Sequence, residues 1–121
     1  MGYESKLYVV EKSSLPAMTN GKKFGQIVAM IDMCSLGDDF LRVLNEYPST
    51  DCYIYADSYD EPTVEDRYGH ELVEIPIKDM IDILDELSQE TDYRRFAPAI
   101  GLLGGFNLDE WGDLVVLHYG Y

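Results

Sequence analysis

The residues of this chain with the clearest chemical spacing are carboxylates. Asp79, Asp82, Asp85, Glu86 and Glu90 recur at intervals of three and four. On a helix that spacing sets neighbouring side chains ~5–6 Å apart at Cβ, the order of the separation between successive phosphates on a nucleic-acid strand. Ahead of them lie Asp57, Asp60, Glu61, Glu65 and Asp66, with Tyr55, Tyr59 and Tyr68 among them. A rigid row of carboxylates with aromatic rings between them suits a basic groove, where it gains the counterion release and steering that phosphates give. The plainer account is a solvated face, since like charges four residues apart on a helix cost only a few tenths of a kcal/mol.

Other chemistries have weaker signals. The loop acids are of the type that binds a hard cation, but the alternating acids and mid-loop glycine of an EF-hand are absent. Cys34, Cys52, His70 and His118 are the right types for tetrahedral zinc, yet no CxxC or HxxxH spacing groups them. A Cys/His nucleophile pair has no local signature here. Gly101-Leu102-Leu103-Gly104-Gly105 has the glycines of a phosphate loop without its Lys-Ser/Thr. Helix packing or a helix end accounts for them better. The expectation is a protein without catalytic machinery, cofactor or metal.

The charge is local. The 55 residues from Asp38 to Asp92 hold 17 Asp/Glu and 3 Lys/Arg, a balance of −14, and the other 66 hold 6 acids and 6 bases. Such a field selects partners and encounter rates rather than folds. With 121 residues, 46% hydrophobic and 12% aromatic, the composition is that of one globular domain able to bury roughly two-thirds of its unfolded surface. Two cysteines fit free thiols in a reducing compartment. The N-terminus shows no signal peptide, and the apolar stretch Ala97–Phe106 is too short and too broken by Pro98 and glycines to span a bilayer. The expected location is the cytoplasm.

The elements that must position these residues are legible in outline. Lys6–Lys12 reads as a strand. Phe24–Met33 reads as a second, with Ile27–Ile31 nearly continuous, so it is expected at the sheet centre, covered on both faces. Asp38 is a candidate N-cap for a helix that Pro48 ends. Cys52–Ala56 and Glu71–Ile75 read as strands of a hairpin joined by the long acidic stretch Asp57–Gly69. Pro76 suits the start of a helix whose Ile77, Met80, Ile81, Leu84 and Leu87 form one apolar stripe. A further helix is expected over Tyr93–Leu103, a capped turn at Asn107–Glu110, and a last strand over Asp113–Tyr119. The fold class is therefore α+β: a single domain over residues 1–121, with a mixed or antiparallel sheet of about five strands and about three helices packed on it.

The two ends, Met1-Gly2-Tyr3-Glu4-Ser5-Lys6-Leu7-Tyr8-Val9-Val10-Glu11-Lys12 and Leu114-Val115-Val116-Leu117-His118-Tyr119-Gly120-Tyr121, resemble those of small uncharacterised proteins carried by phages and prophages of Gram-positive bacteria. That resemblance implies an accessory phage product. Small acidic phage proteins include anti-CRISPR proteins and anti-restriction DNA mimics, an analogy of size and charge rather than motif. The leading expectation is an inhibitor acting in the host cytoplasm. Its acidic surface would occupy the nucleic-acid channel of a basic host defence protein, a CRISPR effector or restriction nuclease, as a nucleic-acid mimic that binds no nucleic acid itself. Its contact residues would be Asp57, Asp60, Glu61, Glu65, Asp66, Asp79, Asp82, Asp85, Glu86 and Glu90. The alternatives are an interaction module of a phage complex and a zinc-stabilised binding protein.

Overall fold

Two strands far apart in sequence, β1 (Ser5–Lys12) and β5 (Leu114–Gly120), lie side by side at the heart of the sheet. The computed structural model describes residues 4–12, 23–34, 38–56, 61–90, 94–106, 108–111 and 114–121. Beyond the two central strands stand β2 (Lys23–Cys34), β3 (Cys52–Tyr53) and β4 (Val73–Pro76), in the order β3-β2-β1-β5-β4. All pairings are antiparallel except β2 with β3, which is parallel over Lys23↔Cys52 and Phe24↔Tyr53. The sheet is mixed, as the α+β reading anticipates.

Side chains alternate across this sheet. Leu7 and Val9 of β1 share one face with Val73 and Ile75 of β4 and Leu114 and Val116 of β5. Tyr8 and Val10 share the other with Leu117 and Tyr119. Both faces are covered, which is why β1 and β5 are buried almost throughout.

The expected place of β2 is corrected by this arrangement. It stands outside β1, and Ile27–Ile31 are half-buried apart from exposed Met30. An apolar run identifies a strand but not its neighbours, and β5 carries an equally continuous run. The expected hairpin is corrected too. β4 pairs with β5, not with β3.

Helices α1 (Asp38–Leu44), α2 (Ile77–Glu90) and α3 (Phe96–Gly104) supply cover for the Leu7/Val9 face, and the single turn α4 (Leu108–Trp111) precedes β5. In α2, Ile77, Met80 and Leu84 are buried at three- and four-residue spacing against Phe96, Ala99 and Leu103 of α3 and the sheet. Pro98 sits in the first turn of α3, where backbone N–H groups have no helical acceptor to lose.

The Tyr8/Val10 face is covered by irregular chain. Pro48 O accepts the Glu74 N–H at 2.8 Å, and the Thr50 N–H reaches Leu72 O at 2.8 Å. Two residues after Thr50, Cys52 pairs with β2. This short segment therefore ties the outer strand β4 to the far side of the sheet. Cys52, Ile54 and Leu72 close over Val10 and Leu117. The approach is tight at Gly25, where a Cβ would overlap Val10 Cγ1 and lie 2.7 Å from Cys52 Sγ. Lys12 pins the layer through Glu74 at 3.1 Å and Asp51 at 3.3 Å. Burial alone would depress the Lys12 ammonium, but these carboxylates outweigh it and hold its pKa above the ordinary value.

Candidate functional site

The ten candidate acids do not form one array. Asp57 and Asp60 lie outside the described residues. Glu61, Glu65 and Asp66 line a pocket with Tyr119 of the Tyr8/Val10 layer, Asp66 also lines a cavity with Tyr47 and His118, and α2 packs on the Leu7/Val9 face of the sheet.

Asp66 is a correction to the exposed set. Its side chain is 3% exposed, and its Oδ1 accepts the N–H groups of Tyr68 at 2.8 Å and His70 at 3.0 Å. The Asp66 N–H donates to His70 O at 2.8 Å, and the Gly69 N–H donates to Asp66 O at 3.1 Å. Gly69 has φ +81, a conformation that favours glycine. Asp66 therefore builds the turn that brings the loop back to the sheet. The spacing Asp66-x-x-Gly69 is the signal for it in the sequence, aspartate opening a turn and glycine closing it. Glu61 and Glu65 are exposed. Thr63 Oγ1 accepts the Glu65 N–H and donates to Glu65 O, both at 2.9 Å, which fixes the Glu65 backbone.

On α2 the acids separate by their place on the helix. Asp79 is half-buried and accepts the Tyr47 hydroxyl at 3.0 Å. Burial raises the Tyr47 phenol above its ordinary pKa, and the Asp79 carboxylate adds to that. Asp82, Asp85, Glu86 and Glu90 are exposed. Asp82, Glu86 and Glu90 are four residues apart in turn, so they form one ridge ~6 Å from group to group, with Asp85 beside it. Among the described residues, none of these four carboxylates has an ion-pair or hydrogen-bond partner. They present their full charge to solvent.

A cavity of about 510 Å³ opens between α1, the Asp66 turn and β5, lined among others by Tyr47, Ser49, Asp66, His70, Glu71 and His118. Ser49 Oγ donates to Glu71 Oε2 at 2.7 Å, and His70 Nδ1 lies 3.6 Å from Asp66 Oδ2. His118 Nε2 meets Ser5 Oγ at 2.8 Å, and its ring stands edge-on to Phe40. Burial lowers the His118 pKa to about 4 against a partial opposing pull from Asp66, so the imidazole is neutral at pH 7. Ser5 is 1% exposed. The Ser5–His118 pair is a buried, hydrogen-bonded contact with the His118 ring at the cavity wall.

The four residues of the zinc alternative are not brought together. Cys52 is buried in the Tyr8/Val10 layer, whereas His118 is on the opposite face beside Phe40. Cys34 ends β2 near Asp32, with φ +56 and its N–H donated to Asp32 Oδ1 at 3.0 Å. His70 is exposed on the Asp66 turn. Among the described residues no three His, Cys, Asp or Glu side chains gather into a metal-binding group. Burial and the neighbouring Asp32 push the Cys34 thiol pKa up, against the pull of Arg95, so it is not an activated thiolate.

Asp32 is committed to the fold. Both its oxygens accept the Tyr121 hydroxyl at 2.7 Å. Burial alone would raise its pKa, but the bonds from Tyr121 and Cys34 prevail and hold the carboxyl below its ordinary value. Tyr121 is raised in turn by Asp32, and Lys6 Nζ lies 4.3 Å from its ring centre.

Fold and surface together define a single α+β domain with a mixed sheet, helices on one face and irregular chain on the other. No protein-family model matches the chain, and neither a curated protein nor a solved structure shows detectable similarity to it. Among the described residues, no helix is long and apolar enough to cross a membrane.

Proposed function

We propose that this protein is a non-catalytic binder that uses the outer ridge of α2 to dock on the basic, nucleic-acid-binding surface of another protein and so inhibits it. The observation that carries the reading is the ridge itself. Asp82, Asp85, Glu86 and Glu90 are exposed and unneutralised on a helix whose other side is anchored by Ile77, Met80 and Leu84. A rigid, evenly spaced set of carboxylates competes for cationic residues that otherwise hold phosphates. The resemblance of the chain ends to phage proteins makes a host defence nuclease, a CRISPR effector or restriction enzyme, the preferred partner class. Asp79 and Asp66 serve the fold in this reading.

The test is capture from bacterial lysate, scored for a nucleic-acid-binding protein and repeated in rising salt and with single-stranded DNA as competitor. Capture is expected to fall steeply in both series. A variant carrying Asp82→Asn, Asp85→Asn and Glu86→Gln is expected to bind roughly 10- to 100-fold more weakly, at up to ~1 kcal/mol for each exposed charge contact. Capture that is flat with salt, or equal for the variant, sinks the proposal.

A further inference from the structure

The groove between β2 and α3 carries an inference that does not depend on the acidic ridge. Met30 and Ile31 of β2, with Pro98, Ala99 and Leu102 of α3, give it an apolar lining around about 600 Å³, a volume in the range of small-molecule sites. Met30 and Leu102 are 48% and 42% exposed, so two large apolar side chains of this lining meet water.

The polar lining sets the sign of what fits. Arg94 and Arg95 flank the start of α3 in the same groove, in a chain whose net charge is −14. Arg94 is exposed and, among the described residues, has no hydrogen-bond or ion-pair partner. Arg95 Nη1 donates to Asp32 O at 2.7 Å. That bond holds the guanidinium beside β2 without neutralising it, because the acceptor is a carbonyl. Asp32 is the one acid among the described lining residues, and its carboxylate is engaged by the Tyr121 hydroxyl and the Cys34 N–H. α3 also begins with no acidic residue in its first turn and no side-chain cap, so the positive end of its dipole adds to the two arginines.

These features select the occupant by charge. The cationic groups stand at one end of α3, and Leu102 is seven residues beyond Arg95, ~10 Å along the helix. A molecule with an anionic head and an aliphatic tail matches that order. The planar fork of a guanidinium suits a carboxylate head, and each tail methylene that is covered raises affinity up to about fourfold. A net charge of −14 opposes approach to an anionic bilayer, which favours a single free molecule. We infer that the groove between β2 and α3 binds a small aliphatic carboxylate, its head on Arg94 and Arg95 and its tail over Met30, Pro98 and Leu102.

Titration of the full chain with octanoate, followed by NMR of the Met30 and Leu102 methyl groups, tests this. Binding is expected to saturate at one molecule per chain, with the shifts centred on those methyls. Octanol keeps the tail and acetate keeps the head, and each is expected to bind roughly tenfold more weakly than octanoate. Arg94→Gln is expected to weaken octanoate roughly fivefold and leave octanol unchanged, whereas Leu102→Gln weakens both. Both side chains are exposed, so the two variants are expected to melt with the natural chain. The variant with Asp82→Asn, Asp85→Asn and Glu86→Gln is expected to bind octanoate as the natural chain does, which separates this site from the ridge. Absence of saturable binding, equal affinity for octanoate and octanol, or shifts centred elsewhere overturns the inference. Octanoate binding that Arg94→Gln leaves intact overturns it too. Co-flotation with anionic phospholipid vesicles, without binding of free octanoate, gives the groove to a membrane surface instead and has the same result.

Discussion

At the scale of single residues, identical side chains have opposite roles, and burial decides which. Asp66 and Glu65 are adjacent acids, yet one organises a turn and the other faces solvent. Charge counting cannot separate them; the Asp-x-x-Gly spacing can, because it describes a backbone requirement. His118 shows the limit of residue type more sharply. Its chemistry suggests a metal or a base, but a position on a strand covered on both faces makes it a neutral core group. Its ordinary pKa of 6.5 falls to about 4 in the fold, so the unfolded chain binds the proton more readily. Its contribution is complete above pH 6.5 and is lost as pH falls toward 4. We expect about 2 kcal/mol less stability at pH 5 than at pH 7 from this group. Urea denaturation at the two pH values should show that loss in the natural chain and a smaller one in His118→Gln. Equal losses would assign the acid sensitivity to other groups.

At the scale of elements, α2 was the most legible part of the sequence. Its buried and exposed sets repeat every three to four residues, and periodicity of that kind needs no knowledge of the rest of the fold. The strand order was not legible, since pairing is a relation between segments. β2, β5 and the 71–75 segment are all apolar runs, and composition does not say which lies beside which. The acidic ridge leads to a prediction on α2 itself. Asp82, Glu86 and Glu90 repel one another along the helix, so Asp82→Asn with Glu86→Gln should raise stability by a few tenths of a kcal/mol while weakening partner capture. Thermal melts run beside the capture assay check this. Destabilisation of the variant would mean that these carboxylates serve the fold. By contrast, Leu84→Ala should cost about 2–5 kcal/mol, since Leu84 is fully buried between α2, α3 and the sheet.

At the scale of the whole molecule, the fold divides the charge. The described acids of residues 38–92 include an exposed ridge on α2, exposed Glu61 and Glu65 near Tyr119, and carboxylates held by internal bonds such as Asp66, Asp79 and Glu74. Salt is therefore expected to loosen the grip on a basic partner.

The central pairing of β1 with β5 also bears on how the chain reaches this state. Ser5 and His118 touch across 113 positions of sequence, and β5 separates β1 from β4. Until β5 arrives, β1 lacks a neighbour on one side and β4 has no sheet to join, so neither covering layer has a complete surface to close on. Contacts this distant in sequence carry a large loop-closure cost before they return any burial. Helix α2 and the β1–β2 pair can form early from local order, but β4 joins the sheet only through β5.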